Sequence, residues 1–178
     1  MDFQFVANAD VYREVVLKRM LAATRSLLVA SANLQDMHVE TRRGYRSVLT
    51  AFRDMADRGV DVRVLHGAVP SERYLRSLKE EGLLLRREHF TMRRCTRVHM
   101  KCVVVDGEWV FLGSPNLTGA GMGAKGDTRR NFEIGILTRD ASLRRSVEAV
   151  FLDVWEGRQC KACGRKRSCP VPLEEPDF

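Results

Sequence analysis

The sequence predicts an α/β fold, because segments with helical periodicity alternate with short apolar strands along most of its 178 residues. Hydrophobic residues make up 44% of the chain and charged residues 30%, which is typical of a soluble globular protein. By its length the chain is expected to form one domain that buries roughly two-thirds of the surface its unfolded form exposes.

The first half of the chain contains two predicted helices and two predicted strands. Residues 10–24 have the pattern of a helix, and the apolar run SLLVASA at residues 26–32 predicts the strand that follows it. The alternation of VDVRVL at residues 60–65 predicts a strand with one solvated face. Between them a second helix is expected to end at Arg58-Gly59, after apolar residues at helical spacing: Tyr45, Val48, Leu49, Phe52 and Met55.

The same alternation continues through the second half. A turn at residues 67–70 is followed by a predicted short helix over residues 72–81 and a strand near residues 83–87. Two strands joined at Asp106-Gly107 come next, and a glycine-rich loop leads to a predicted strand at residues 131–138.

The final helix marks the end of the predicted domain. Asp140 can cap its first turn, and its apolar stripe consists of Leu143, Val147, Val150, Phe151 and Val154. The apolar pattern stops after Trp155. We therefore expect one folded domain over residues 1–156 and a separate tail, rich in Cys, Pro, Lys and Arg, over residues 157–178.

The overall charge favours a polyanionic partner. A formal charge of +7 and a sequence pI near 9.5 suit binding to nucleic acid or to an anionic membrane surface, although the same charge can serve solubility alone. The amino terminus lacks the apolar core of a signal peptide, and no run of eighteen apolar residues occurs. The sequence therefore predicts a cytoplasmic protein without membrane insertion.

The stretch RVHMKCVVVDGEWVFLGSPN places polar residues within an apolar hairpin. Residues two apart in a strand share a face, so His99 and Lys101 are expected to point the same way. Asp106-Gly107 predicts the turn. A two-residue loop places His99 opposite Ser114, whereas a four-residue loop places it opposite Asn116. Both registers gather these polar side chains on one face.

This stretch carries a resemblance to a known family. HMKCVVVD has the form His-x-Lys-x4-Asp from His99 to Asp106, and Gly113-Ser114-x-Asn116 follows after six intervening residues. The pattern resembles the phospholipase D superfamily signature, most closely that of its short, single-motif endonucleases of the Nuc type. The order of helices and strands from about residue 10 to residue 155 is also similar. The resemblance implies a mixed β-sheet flanked by helices on both faces, with one motif per chain.

The resemblance also implies a mechanism. His99 would attack a phosphodiester to form a covalent phosphohistidine, which water then removes. NFE at residues 131–133 is similar to the family segment that supplies a glutamate, here Glu133, to orient the imidazole. Asp106 belongs to the catalytic set by the motif, although an Asp before Gly is also explained by a turn or an interface salt bridge. The nonbridging oxygens would be held by three residues: Lys101, Ser114 and Asn116.

The same chemistry requires a second histidine. The leaving oxygen needs a proton from an imidazolium on the opposite side of the phosphorus, and no other His in the chain lies in such a motif. The resemblance therefore implies a homodimer in which two copies of His99 face one another across a twofold axis, as nucleophile and acid. Catalysis by this route is expected to need no divalent cation or other cofactor.

Two basic clusters flank the motif. One lies in the glycine-rich loop TGAGMGAKGDTRR and the other in the segment that leads into the motif. Both are candidates to bind a nucleic-acid backbone, although either can be an ordinary solvated surface. The candidate residues are Arg93, Arg94 and Arg97 before the motif, and Lys125, Arg129 and Arg130 in the loop.

The tail contains a cysteine pattern that predicts a metal site. CKACGRKRSC places Cys160, Cys163 and Cys169 within ten residues, and a four-coordinate site needs one further ligand. Cys95 is our candidate because it precedes the motif strand, whereas Cys102 is expected in the core. The spacing is similar to iron–sulfur sites in some DNA-processing nucleases of an unrelated fold. The sequence does not decide between three states of these cysteines: a structural zinc site, a [4Fe–4S] cluster, or reduced thiols without a metal.

The sequence thus predicts a homodimeric, metal-independent phosphodiesterase that cuts DNA or RNA. Two alternatives stay open. A phospholipase or phosphatidyl transferase would need a lipid-binding segment, and the chain offers no amphipathic anchor. A nucleic-acid-binding protein without turnover would not need the complete motif that the chain carries.

Overall fold

The computed structural model describes residues 3–42, 44–83, 88–170 and 173. Its strands are, in chain order, β1 (Phe3–Ala7), β2 (Ser26–Ser31), β3 (His38–Thr41), β4 (Gly44–Ser47), β5 (Asp61–His66), β6 (Phe90–Arg94), β7 (Cys102–Val105), β8 (Trp109–Gly113) and β9 (Ile134–Thr138). Its α-helices are α1 (Val48–Asp57), α2 (Glu72–Glu80) and α3 (Ala141–Trp155). A π-helical segment, Val11–Leu17, and a 3-10 turn, Met20–Ala22, lie between β1 and β2.

Seven of the strands in the described residues form one mixed sheet, in the order β1-β9-β8-β7-β2-β5-β6. The β2, β5 and β6 strands run parallel to one another, and the remaining neighbours are antiparallel. The β3 and β4 strands form a separate hairpin. The predicted α/β class and mixed sheet are therefore confirmed.

Helices cover both faces of this sheet, as the resemblance implies. On one face, the π-helical segment, α1 and α2 pack on alternate residues of the strands, such as Val29, Val64 and Phe111. On the other face, α3 packs Phe151 and Trp155 against Ala30, Leu65 and Cys102.

No helix in the part of the chain that the structure describes combines the length and the apolar composition of a membrane span.

Several predicted elements differ in extent or position. The expected helix over residues 10–24 is divided into the π-helical segment and the 3-10 turn. Tyr45 lies in β4 rather than in the second helix, because the hydroxyl of Ser47 caps α1 by accepting a 3.1 Å hydrogen bond from the N–H of Leu49. Val150 on the expected stripe of α3 is 57% exposed, because only Phe151 and Trp155 of that helix are fully covered by the sheet.

Strand predictions at the sheet edges were the least accurate. Residues 84–87 of the strand expected near residues 83–87 lie outside the described residues, and the edge strand that the structure shows is β6. Strand β1 was not predicted, because its short FQFVA pattern is no stronger than that of a loop. The strand expected from residue 131 begins at Ile134.

The hairpin of β7 and β8 has a register that neither expected loop length gives. Val105 pairs with Trp109, which leaves three residues, Asp106 to Glu108, in the connection. Asp106 and Gly107 both have positive φ, and the N–H of Glu108 donates to the carbonyl of Val105 at 2.9 Å. Glu108 is an extra, unpaired residue, and it shifts the pairing register of β7 and β8 by one residue. His99 and Lys101 precede β7 instead of lying within it.

Candidate functional site

His99 lies at the open end of the β7–β8 hairpin, where its ring is exposed to solvent. The ammonium group of Lys101 donates to the backbone carbonyl of His99 at 2.8 Å, and it stands 3.4 Å from ring Nε2. Gly67 makes this path of the chain possible, because a Cβ there would lie 2.3 Å from the carbonyl oxygen of Val98. The structure therefore holds the imidazole and the ammonium together on the surface.

The Gly113-Ser114 part of the motif is joined to the His99–Lys101 part by a backbone hydrogen bond. The N–H of Gly113 donates to the carbonyl of Lys101 at 3.3 Å. Gly113 must be glycine, because a Cβ would lie 2.6 Å from the carbonyl oxygen of Ile134 on β9. Ser114 follows directly, so the polar residues of the two motif halves lie at the same end of the sheet.

Ser114 and Glu133 form a hydrogen-bonded pair on adjacent chain segments. The hydroxyl of Ser114 donates to Glu133 Oε2 and accepts from the N–H of Ile134 at 3.2 Å. Asn131 donates its side-chain amide to Glu133 Oε1 at 3.1 Å. Among the described residues, the carboxylate of Glu133 thus binds Ser114 and Asn131. The expected hydrogen bond from His99 to Glu133 is not formed in this part of the chain.

Asn116 is held by the carboxyl end of β2. Its side-chain oxygen accepts from the backbone N–H of Asn33 at 3.2 Å and lies 3.4 Å from the hydroxyl of Ser31. That hydroxyl is buried; it donates to the carbonyl of Asn33 at 2.6 Å and accepts from the N–H of Leu117 at 2.8 Å. Because the amide oxygen is occupied, the NH₂ group is the part of Asn116 that can donate to an anion.

Sequence reasoning missed three residues that position this site. Ser31 and Asn33 orient Asn116, as described above. Asn8, after β1, exchanges two hydrogen bonds with Glu133: its side-chain oxygen accepts at 3.0 Å, and its own N–H donates to the Glu133 carbonyl at 2.8 Å. Asn8 has a φ of 51°, a conformation that Asn tolerates. The placement of Ser31 just after an apolar run was the only available signal for any of them.

Asp106 lies at the turn, at the end of β7 away from His99. Its carboxylate accepts from the backbone N–H groups of Thr24, Arg25 and Ser26 at 2.7–3.0 Å, and from the Thr24 hydroxyl at 3.0 Å. Burial raises the pKa of this carboxyl group, but the hydrogen bonds outweigh burial and hold the pKa below its ordinary value. This placement favours the structural alternative, in which Asp106 fastens the hairpin to the start of β2.

The predicted nucleic-acid-binding residues fall into two groups. Arg93 and Arg94 have structural partners: Arg93 lies over the Trp155 ring and donates to its carbonyl at 2.6 Å, and Arg94 donates to the Gly67 carbonyl at 3.2 Å. These contacts favour a packing role for both. The exposed members are Arg97, Lys125 and Arg129, whereas Arg130 is largely covered and pairs with Asp127 at 2.6 Å.

The four cysteines of the predicted metal site come together, although one of them is far away in sequence. Cys95, Cys160, Cys163 and Cys169 line a single cavity of about 150 Å³. Burial raises the pKa of the Cys160 thiol, and the three neighbouring thiols raise it further. Cys102 is buried beneath α3 as expected, and burial raises its pKa to about 12.

A second cavity, of about 320 Å³, connects this cluster to the motif. It is lined by His99 and by three of the same cysteines, Cys95, Cys160 and Cys163. The exposed Val150 of α3 also lines it. The cysteine cluster and the motif histidine therefore border one common space.

Comparison with solved structures shows the same fold in three proteins. Nuc from Salmonella typhimurium, a phospholipase D family member, has a TM-score of 0.65 at 16% identity, over 99% of this chain and 100% of that one. NucT from Helicobacter pylori has a TM-score of 0.59 at 16% identity, over 87% and 97%. TrmBL2, an archaeal chromatin protein with a novel mode of DNA binding, has a TM-score of 0.56 at 17% identity, over 88% of this chain and 53% of that one.

At the level of sequence, no curated protein matches the chain. The family described as "Cardiolipin synthase, PLD-like domain" matches residues 16–155, which is well over half of the chain. Together with the fold, this match shows that the chain belongs to the PLD-like domain family of the phospholipase D superfamily, a group of phosphodiesterase-type enzymes.

Proposed function

We propose that the protein is a homodimeric endonuclease that cleaves DNA or RNA through a phosphohistidine at His99, without a divalent cation. The main support is that the exposed imidazole of His99, the ammonium of Lys101 and the Gly113-Ser114 turn lie together at one end of the sheet. A nucleophile and fixed positive charge at one exposed position are what phosphodiester displacement needs.

In the first step, a ring nitrogen of His99 bonds to phosphorus and the bond to the leaving oxygen breaks. His99 of the partner subunit, protonated, gives its proton to that oxygen. In the second step, water attacks the phosphohistidine and loses a proton to the now neutral His99 of the partner subunit. The nitrogen–phosphorus bond breaks, and both imidazoles return to their initial states.

Three groups of this chain would bind the charged phosphate. The ammonium of Lys101, already 3.4 Å from the ring, neutralises one nonbridging oxygen. The NH₂ group of Asn116 donates to another, because Asn33 holds the amide oxygen. Ser114 would donate a hydrogen bond to the phosphate only by releasing Glu133, and the carboxylate would then be available to accept a hydrogen bond from the N–H of His99.

A second copy of the chain has a candidate surface beside the site. Ile134, next to Glu133, is 57% exposed, and so is Val150, which lines the cavity that His99 borders. Phe132, on the other side of Glu133, is 96% exposed. Large apolar side chains exposed next to a polar site are typical of an interface. A partner that covers them would bring its own His99 toward the same phosphorus.

Nucleic acid is the favoured substrate class because exposed basic groups flank the motif on both sides. Arg97 precedes it, and Lys125 and Arg129 lie in the loop between Asn116 and Glu133. The formal charge of +7 supports the same partner. The DNA binding described for TrmBL2 is consistent with this choice. The lipid enzyme named in the family description makes phosphatidyl transfer the alternative to test.

The deciding experiment incubates the protein with single- and double-stranded DNA, RNA and phosphatidylcholine vesicles, each in excess EDTA. Nucleic-acid cleavage should persist in EDTA and fall by at least about 10³-fold in His99→Ala, since removal of a nucleophile leaves only binding and electrostatic effects. His38→Ala, which removes an exposed histidine on the β3–β4 hairpin, should cleave normally. Lipid turnover without nucleic-acid cleavage would replace this proposal with the lipid alternative, and tight binding without products would indicate a non-catalytic binding protein.

A further inference from the structure

The four-cysteine cavity joins the tail to the segment that leads into the motif. The N–H of Leu173 donates to the Arg94 carbonyl at 3.0 Å, and Arg165 Nη1 donates to the Thr96 carbonyl at 2.8 Å. The guanidinium of Arg97 lies 3.7 Å from Cys163 Sγ. The tail is thus docked on residues 94–97, only two residues before His99.

Apolar packing does not account for this docking. Residues 156–170 consist of short turns in which no residue is fully buried. The backbone bonds that shape them are local, such as Cys160 N–H to the Gly157 carbonyl at 2.9 Å and Cys163 N–H to the Cys160 carbonyl at 3.2 Å. A segment this short without a core is ordinarily held by a disulfide or by a metal. All four cysteines are free thiols that face one space.

The thiols line a cavity instead of meeting at one point, which favours a cluster over a single ion. Within residues 3–42, 44–83, 88–170 and 173, no three Cys, His, Asp or Glu side chains converge as the ligands of a single ion do. The four thiols instead surround a cavity of about 150 Å³. A mononuclear zinc draws its ligands to about 2.3 Å of one point. In a cubic iron–sulfur cluster each of the four thiolates binds a different iron. The thiolates therefore surround a cavity that the cluster fills.

We propose that Cys95, Cys160, Cys163 and Cys169 bind a [4Fe–4S] cluster that fastens the tail to the segment preceding His99. Each thiol loses its proton when it binds an iron, so the four ligands bring four negative charges to the site. Three cationic side chains line the same cavity and would offset that charge: Arg97, Lys161 and Lys166. The cluster would stand beside the space that His99 borders, in a structural role.

The direct test is the metal and sulfide content of the full-length protein purified without oxygen. We expect about four irons and four acid-labile sulfides per chain, with the visible absorbance of a cluster. His99→Ala, which the proposed function expects to be inactive, should contain the same amounts, so the metal content is tested independently of the enzymatic function. One zinc per chain without sulfide would overturn the cluster, and a protein with no bound metal would overturn the site.

Two matched variants test the ligand assignment. Cys163→Ala should lose at least about half of its iron, because a cubic cluster needs all four thiolates for stable binding. Cys102→Ala, which removes the one cysteine outside the cavity, should retain the iron of the wild type. Full iron content in Cys163→Ala, or loss of iron in Cys102→Ala with its fold intact, would contradict the assignment.

Amide hydrogen exchange tests the fastening role. The N–H of Cys95 donates to the His66 carbonyl and that of Val98 to the Cys95 carbonyl, both at 2.9 Å. These amides should exchange at least about tenfold faster in Cys163→Ala than in the wild type, while amides in the centre of β2 stay unchanged. Equal exchange at residues 95 and 98 in the two proteins would show that the cluster does not hold this segment.

Discussion

The hydroxyl of Ser31 accepts a 2.8 Å hydrogen bond from the backbone N–H of Leu117, the residue that follows Asn116. Ser31 is the last residue of β2 and is 1% exposed. The same hydroxyl donates to the carbonyl of Asn33, whose N–H holds the Asn116 amide oxygen. The buried hydroxyl of Ser31 therefore fixes the position of the Asn116 amide, which is proposed to bind phosphate.

Ser31→Ala should reduce both stability and turnover. The N–H of Leu117 would be buried without an acceptor, which costs about 1–3 kcal/mol in the free energy of unfolding. We expect kcat to fall by about tenfold through the misplaced Asn116, with KM nearly unchanged, because a group that acts mainly on the transition state changes kcat. Chemical denaturation and steady-state cleavage assays measure the two effects. Ser146→Ala, on the exposed side of α3, is the control, and equal kinetics in both variants would exclude a positioning role for Ser31.

Asp106→Asn tests the structural interpretation of the turn. Asn tolerates the positive φ of this position but lacks the charge that four hydrogen-bond donors stabilise. We expect a loss of about 1–3 kcal/mol at neutral pH, with cleavage by the folded protein retained. A loss of cleavage without a loss of stability would return Asp106 to the catalytic set.

The stability change in Asp106→Asn should depend on pH. The folded-state pKa of Asp106 is lowered, so its contribution is complete above the pKa of the unfolded carboxyl, about 3.9, and is lost as pH falls through the folded value. The difference between wild type and variant should therefore shrink below about pH 4. Denaturation curves collected from neutral to acidic pH measure it, and a constant difference would contradict this assignment.

Val150→Glu tests the proposed dimer surface. A charge at this 57% exposed position beside the His99 cavity should weaken association, so the variant should be monomeric and cleave at least about 100-fold more slowly. Tyr45→Glu makes the same kind of change at a 71% exposed position on the β3–β4 hairpin and should stay dimeric and active. Sedimentation and cleavage are measured together. A monomeric Val150→Glu with full activity would contradict a composite site.

The double variant Lys125→Gln, Arg129→Gln tests the basic loop. Removal of two phosphate contacts should lower the slope of log affinity against log salt by about one per residue, without a change in kcat. The control removes the same charge at the turn end of the hairpin, Arg25→Gln with Arg139→Gln, where both side chains pair with Glu108. Equal salt slopes in the two double variants would mean that the loop does not contact the backbone of nucleic acid.

The sequence was sufficient to predict the fold class, the motif and the core of the sheet. His99, Lys101 and Gly113-Ser114 are close in sequence, so their proximity depends only on one hairpin. The register of that hairpin could not be predicted, because the unpaired Glu108 changes it by one residue without altering the Asp-Gly signal. A bulge is decided by how both strands pack in the finished sheet.

Most contacts between segments that are distant in the chain could not be predicted from the sequence. Asn8 and Glu133 are 125 residues apart, and Ser31 and Leu117 are 86 residues apart, with no local pattern to link either pair. Arg93 is expected on nucleic acid from its position in a basic run, but in the fold its guanidinium lies over the Trp155 ring. Cys95 lines one cavity with the tail cysteines, in line with its place in the segment before the motif strand, and a metal on these four residues stays a prediction.

In the proposed mechanism, two copies of His99 act on one phosphorus. The most direct measurement is an acid-quenched reaction in EDTA with substrate labelled at the scissile phosphate, followed by mapping and counting of the covalent label. We predict a phosphohistidine at His99 only, with at most about one label per two chains, because each dimer has one composite site. Label on another residue, or one label per chain in a protein that is active as a monomer, would contradict it.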